Sequence, residues 1–179
     1  AAPLATLIRS PLTADLVPLE IDDTGSILTG HVARANPLWR EADGQPVLAV
    51  FHGAQGYITP SWYASKAEDG RVVPTWNYSI VQAHGTLRAI DDAAWVTAFV
   101  TSLTDRHEAT REHPWHVSDA PAEYIANTAK AIVGIEIAIT SLVGKLKLSQ
   151  NRTDEDQRSV LAALEPSQLA ADMRAVRNR

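Results

Sequence analysis

Short runs of apolar and β-branched residues dominate the first half of the chain. Pro, Asp-Asp, Thr-Gly-Ser and other Gly-containing turn signals separate them. Six runs of this kind predict strands, at Leu4–Ile8, Leu16–Ile21, Ile27–Val32, Val47–Phe51, Tyr57–Thr59 and Thr75–Ile90. We expect an antiparallel barrel, closed or half closed, because an open sheet would leave long unpaired edges.

The apolar pattern then changes to a helical period. Trp95, Phe99 and Leu103 fall at i, i+4 and i+8, which predicts a helix that Asp91 or Asp92 can cap.

A second helix is predicted to start at Asp119–Pro121 and to end at Gly134, because Pro is tolerated in a first turn and Gly terminates helices. Alternation of apolar and polar residues between Ile135 and Leu148 then predicts a return to the sheet.

Two further helices are predicted at the C-terminus. Thr153 with Asp156 resembles a capping box, and Ser167 can cap the last helix. The predicted fold class is therefore α+β, with peripheral and C-terminal helices. We expect a barrel over residues 1–152, with helices inserted at about 92–132, and a helical segment over 153–179 in the same domain.

Composition excludes several classes of site. The 179 residues include no cysteine, which removes zinc ribbons, iron–sulfur clusters and thiol catalysis. The 16 basic and 21 acidic residues give a net charge of −5, which argues against an overall basic nucleic-acid binder. Residues 153–179 carry five acidic and four basic side chains, so a DNA-reading helix pair is not expected there. Lys145 and Lys147, predicted on one strand face, could instead meet a phosphate or a second subunit.

No apolar stretch approaches the roughly 18 residues that a membrane span needs, and the first residues lack the basic segment of a signal peptide. We therefore expect a cytoplasmic protein without a membrane contact. Because the chain starts with Ala rather than Met, we expect a fragment or a processed start.

A group of histidines and glutamates suggests a metal site, but the spacing is wrong for it. His107 and His113 are six residues apart and do not share a helix face, and Pro114 interrupts the helix before His116. A solvated helix end is the better interpretation. Gly-x-Ser-x-Gly, Walker and dinucleotide Gly patterns are absent from the sequence, so serine hydrolase, P-loop and Rossmann functions have no support.

Aromatic residues gather between Tyr57 and Tyr78, mixed with hydroxyls, an amide and a lysine. This composition suits a ligand with a flat ring and an anionic tail. The alternative is a barrel core with Tyr and Trp at its rim. The candidate binding residues are Ser61, Trp62, Tyr63, Lys66, Thr75, Trp76, Asn77 and Tyr78.

A second candidate lies at the end of the third predicted strand. His31, Arg34 and Asn36 place an imidazole, a guanidinium and an amide within six residues, and such groups can converge on a phosphate. The alternative is a solvated strand end followed by an Asn-Pro turn.

Six motifs in order carry a resemblance to a known family. They are GHVARANP from Gly30, YITPSWY from Tyr57, VPTWNY from Val73, LTDRHE from Leu103, VGIEI from Val133 and KLSQNR from Lys147. Over about Leu4 to Leu164 the chain resembles the PaiB family, which is described as FMN-binding negative transcriptional regulators. The resemblance implies a split β-barrel similar to pyridoxamine phosphate oxidase, and a homodimer with FMN between the subunits.

The resemblance also implies roles for both groups of candidates. It places the flavin phosphate near His31, Arg34 and Asn36, adds Thr75, Asn77 and Tyr78 from a later strand, and puts the Ser61–Lys66 stretch at the border of the same pocket. It names no catalytic residue.

Direct DNA binding is not expected from the charge. Two alternatives stay open: a flavin-dependent reductase or oxidase of small molecules, and a barrel without cofactor that acts as an interaction module.

Overall fold

The fold is described by a computed structural model, which covers residues 3–178. Within these residues the chain forms six strands and six α-helices, together with two short 3₁₀ helices at Pro60–Trp62 and Val117–Asp119. The strands are β1 (Leu4–Arg9), β2 (Thr13–Ile21), β3 (Ile27–Ala33), β4 (Pro46–Ile58), β5 (Thr75–Ile90) and β6 (Ile132–Lys147). The helices are α1 (Leu38–Glu41), α2 (Lys66–Asp69), α3 (Ala93–Glu108), α4 (Ala122–Ala129), α5 (Asp154–Leu164) and α6 (Gln168–Arg177).

The strands close into a barrel in the order β1-β2-β3-β6-β5-β4. The pairs β1/β2, β2/β3 and β3/β6 are antiparallel, with Gly30 opposite Leu19 on one side and Ile135 on the other. Closure removes the unpaired edges that an open sheet would expose. The predicted α+β class with an antiparallel barrel is confirmed.

The contacts divide the chain into two compact units. The N-terminal unit comprises Pro3–Val50 and Gln82–Leu142, and the C-terminal unit comprises Phe51–Val81 with the described residues from Val143 onward. The core of the N-terminal unit includes Leu7, Leu87 and Ile135, all fully buried. The core of the C-terminal unit consists of Ile58, Tyr63, Leu148, Val160, Leu161, Leu169, Ala170 and Met173.

The predicted break between Val47–Phe51 and Tyr57–Thr59 is wrong, because β4 is one continuous strand. The glycines in this stretch serve close packing instead of a turn. A Cβ on Gly53 would overlap the Ser79 side chain, and one on Gly56 would lie 2.9 Å from Leu169 Cδ2. A glycine that resembles a turn signal in the sequence can therefore be a strand residue, at a position with no room for a side chain.

The predicted end of the second helix at Gly134 is also wrong. Helix α4 stops at Ala129, and Gly134 is already the third residue of β6. A Cβ on Gly134 would overlap the Trp95 ring of α3. Gly134 is required by this close approach of strand and ring, not by a helix end.

The predicted helix starts are confirmed at three caps. Asp92 Oδ1 accepts hydrogen bonds from the backbone N–H groups of Ala94 and Trp95 at 2.8 and 3.2 Å. Thr153 Oγ1 accepts from Asp156 N at 3.2 Å, and Ser167 Oγ accepts from the third residue of its helix at 3.1 Å.

Across residues 3–178, every helix is too short or too polar to cross a bilayer.

Candidate functional site

Strands β4 and β5 present aromatic rings on the surface of the C-terminal unit, and β6 places a lysine beside them. The rings of Tyr57 and Trp76, each 49% exposed, lie 6.2 Å apart between centroids. Trp76 Nε1 donates a hydrogen bond to Gln55 Oε1 at 3.2 Å, and Lys145 Nζ lies 5.6 Å from the Tyr78 ring centroid. We call Tyr57, Trp76 and Tyr78 the aromatic face. Period-2 alternation brings these side chains to one side of neighbouring strands.

Two lysines in the same unit each donate to a hydroxyl. Lys147 Nζ donates to Thr75 Oγ1 at 2.7 Å, and Lys66 Nζ donates to Ser61 Oγ at 3.3 Å. We call these the lysine–hydroxyl pairs. An ammonium group beside a hydroxyl is a suitable donor set for a phosphate oxygen.

Trp62 and Tyr63 lie in the loop between β4 and α2 and pack against the core of the C-terminal unit. Tyr63 is only 3% exposed, and the Arg152 guanidinium carbon lies 4.4 Å from its ring centroid. The Tyr63 hydroxyl is buried, and no described residue is in hydrogen-bond contact with it. These two aromatic side chains anchor the loop that carries Ser61 and Lys66.

Asn77 points to the opposite side of β5 from the aromatic face and is completely buried. Its Nδ2 donates to Ser149 Oγ at 2.9 Å, and its Oδ1 accepts from the same hydroxyl at 3.1 Å. Met173 Sδ lies 3.6 Å from the same nitrogen. Both polar atoms of the Asn77 amide are thus used inside the unit. Because neighbouring residues of a strand point to opposite faces, the sequence itself places Asn77 on the other face of β5 from Trp76.

The other three candidates lie in the N-terminal unit, where Arg34 is held at several points. Arg34 Nη1 and Nη2 donate to the Asp91 carboxylate at 2.8 and 2.6 Å, and its Nε donates to Lys130 O at 2.6 Å. The hydrogen bond from Arg34 lowers the pKa of Asp91. The guanidinium therefore joins the end of β3 to the segments before α3 and β6.

His31 and Asn36 also have partners in the N-terminal unit. The His31 ring packs edge-on against Phe99 of α3 at 6.0 Å, and its burial lowers the pKa of the imidazole. Asn36 Nδ2 donates to Asp15 Oδ1 at 2.8 Å, and Asn36 Oδ1 accepts from Leu38 N at 2.8 Å. The three predicted ligands thus support the strand end on which they lie.

The histidines near the end of α3 pair with separate carboxylates. His107 Nε2 lies 3.6 Å from Glu20 Oε1, and His116 Nδ1 lies 3.0 Å from Asp105 Oδ1. Over the described residues 3–178, no three His, Asp or Glu side chains come close enough to hold a metal ion. A cleft of about 670 Å³ between α3 and α4 is lined in part by Asp105 and His116, and it contains none of the predicted ligand residues.

Lys145 and Lys147 are the residues that the candidate set left out. The sequence indicated them only as two cations on one strand face. The structure brings them beside Tyr78 and Thr75, both of which were in the set. Strand pairing between β5 and β6, which a single sequence does not define, was needed to connect these residues.

Comparison with known proteins gives the family. Residues 1–141 match the family described as "Putative FMN-binding domain". An uncharacterized protein of Aspergillus fumigatus, AFUA_5G13800, is 34% identical over 91% of this chain and 77% of its own length. The Bacillus subtilis protease synthase and sporulation protein PAI 2, which is PaiB, is 31% identical over 77% of this chain and 64% of its own length.

Solved structures confirm the fold independently. The flavocytochrome Anf3 from Azotobacter vinelandii superimposes with a TM-score of 0.58 at 17% identity, covering 93% of this chain and 70% of that protein. The resemblance expected from the six motifs is thus confirmed by the family match, by the PAI 2 identity and by the shared split barrel. The chain belongs to this FMN-binding family, of the PaiB type, and its cofactor is FMN.

Proposed function

We propose that this protein holds FMN through its C-terminal unit. The observation that carries the proposal is that one unit combines exposed aromatic rings with two lysine–hydroxyl pairs. FMN has the matching parts, which are a planar ring system and a phosphate group. The residues present therefore fit the cofactor.

The aromatic face would contact the planar ring of the flavin, since Tyr and Trp offer large surfaces with a polar edge. Lys66 with Ser61, and Lys147 with Thr75, would donate to the phosphate, with Lys145 adding a third positive charge. When bound, FMN supplies hydride or electron transfer through its ring, while the protein provides orientation and charge.

A titration of FMN and riboflavin tests this proposal, because the two ligands differ only in the phosphate. We expect wild-type protein to bind FMN more tightly than riboflavin, with binding followed by the change in flavin fluorescence. Lys147→Gln and Lys66→Gln should each weaken FMN at least about fivefold and leave riboflavin within about twofold, since each removes one charged donor. Lys130→Gln, an exposed lysine of the N-terminal unit, is the matched control.

The same titration tests His31, Arg34 and Asn36, whose predicted role at the phosphate stays a prediction. Because the Arg34 donors are used by Asp91 and Lys130, we expect Arg34→Ala to lower the melting temperature and to leave FMN affinity within about twofold. A tenfold loss of FMN affinity would instead place Arg34 in the site.

We further propose a cytoplasmic homodimer with a role in transcription regulation. The regulatory part is supported by the identity to PAI 2 and by the PaiB resemblance. The net charge of −5 argues that regulation does not use tight direct binding to DNA by this chain alone. A colourless protein that takes up no FMN would favour the interaction module, and turnover of a reductant with bound FMN would favour the reductase or oxidase.

A further inference from the structure

We propose that Asp156, at the start of α5, is a positioning residue for the cofactor phosphate. It acts by fixing the loop that carries Ser61 and Lys66. The inference rests on the proposed FMN site, and Asp156 lies beyond the residues 1–141 that match the family. Nothing in that match assigns a role to α5.

The Asp156 carboxylate is buried and fully directed at one residue. Asp156 is 2% exposed, its Oδ1 accepts from the backbone N–H of Ser65 at 2.9 Å, and its Oδ2 accepts from Ser65 Oγ at 2.9 Å. A buried carboxylate is tolerated only when its oxygens receive hydrogen bonds, so this pairing fixes both the backbone and the side chain of Ser65.

The start of α5 is itself held in place. Thr153 caps the helix by accepting from Asp156 N at 3.2 Å, and the carboxylate lies in the first turn, where backbone N–H groups favour a negative charge. Val160 and Leu161 of the same helix are in the core of the C-terminal unit. Asp156 therefore projects from a rigid support.

Ser65 connects Asp156 to Lys66 along the chain. Ser65 is the N-cap residue of α2, which is only four residues long and too short to be stable as an isolated helix. Lys66 follows directly, and its ammonium group donates to Ser61 Oγ at 3.3 Å. Because Trp62 and Tyr63 anchor the middle of the loop in the core, Asp156 holds the remaining end, next to the lysine.

Asp156→Ala tests the inference by removing both acceptors. The measured quantity is the ratio of the riboflavin dissociation constant to the FMN dissociation constant. We expect this ratio to fall by about three- to fivefold, no more than in Lys66→Gln, because Lys66 is no longer held beside Ser61, while riboflavin affinity stays within about twofold. Hydrogen exchange at the amides of residues 61–69 should become faster in the free protein.

Two further variants separate positioning from general destabilisation. Asp156→Asn retains an acceptor for Ser65 N and a donor for the Ser65 hydroxyl, so it should restore most of the ratio. Asp154→Ala removes a carboxylate from the same turn, where the side chain is 75% exposed, and should leave the ratio unchanged. If Asp156→Ala does not fold, Ser65→Ala removes the hydrogen bond from the Ser65 hydroxyl to Asp156 Oδ2. The same ratio of dissociation constants is then compared between Ser65→Ala and wild-type protein.

The outcomes distinguish this inference from the proposed site. An unchanged ratio in folded Asp156→Ala, or an equal loss for both flavins, would overturn the positioning role while the FMN site stands. Wild-type protein that binds neither flavin, or binds both equally, would overturn the proposed phosphate site and this inference together.

Discussion

The half-buried imidazole of His31 shows which part of a residue's surroundings the sequence does not specify. The sequence places His31 in a strand end with Arg34, and a phosphate ligand is a reasonable prediction from those residue types. Its packing against Phe99 depends on where α3 lies over β3, which no local pattern specifies. Arg34 is similar, since its Asp91 partner is 57 residues away in sequence.

The lowered pKa of His31 predicts a pH dependence of stability. Its folded-state pKa lies below the ordinary value of 6.5, so the unfolded chain binds more protons than the folded chain over a pH range that begins near 6.5 and extends downward. The contribution of His31 to stability is therefore lost as the pH falls through this range. His31→Leu should show a flatter dependence of the free energy of unfolding on pH, measured by urea denaturation at several pH values. His84→Gln, on an exposed position of β5, should retain the wild-type slope.

At the scale of elements, helices were predictable where a cap and an apolar stripe occur together. Asp92, Thr153 and Ser167 were identified from sequence and all three cap a helix. Strand boundaries were less predictable, because glycine in this chain has two uses. Gly53 and Gly134 lie inside strands against another side chain, and a single sequence does not distinguish this use from a turn.

Gly134→Ala tests the packing interpretation of the strand glycines. The added methyl group would overlap the Trp95 ring, so the ring would have to leave its stacked position on Phe99, 5.4 Å away between centroids. We expect the free energy of unfolding to fall by about 1–3 kcal/mol in urea denaturation. Gly144→Ala is the control in the same strand, since a Cβ there meets nothing within 4 Å. Its effect should stay within about 0.5 kcal/mol, and an equal loss in both variants would contradict the packing interpretation.

At the scale of the whole molecule, the last part of β6 is exposed on both of its faces from Thr140 to Lys147. It includes the apolar side chains Leu142, Val143 and Leu146, which are 53%, 48% and 44% exposed. The barrel and its helices could be predicted from the sequence. The exposure of this strand on both faces could not, because its apolar and polar residues alternate as they do in an ordinary half-buried strand. An exposed apolar strand is a suitable surface for a second copy of the chain.

Light scattering should therefore give about twice the chain mass of 19.4 kDa at micromolar concentration. Leu146→Asp should shift the protein toward the monomer, because it places a charge in the proposed interface. Leu12→Asp is the matched control, since Leu12 is 96% exposed in the turn between β1 and β2. Wild-type protein of monomeric mass, or a dimer that Leu146→Asp leaves intact, would rule out this strand as the interface.

The C-terminal unit is assembled from two segments of the chain. The first ends at Val81, the second begins at Val143, and 61 residues lie between them. Ile58 and Tyr63 are covered by Val160, Leu169 and their neighbours, which are synthesised much later. During synthesis, the loop with Ser61 and Lys66 has no core to pack against until α5 and α6 have left the ribosome. Lys66, the lysine of the proposed phosphate site, thus acquires its place only after α5 and α6 have been made, and a nascent chain that lacks these two helices is not expected to hold the cofactor there.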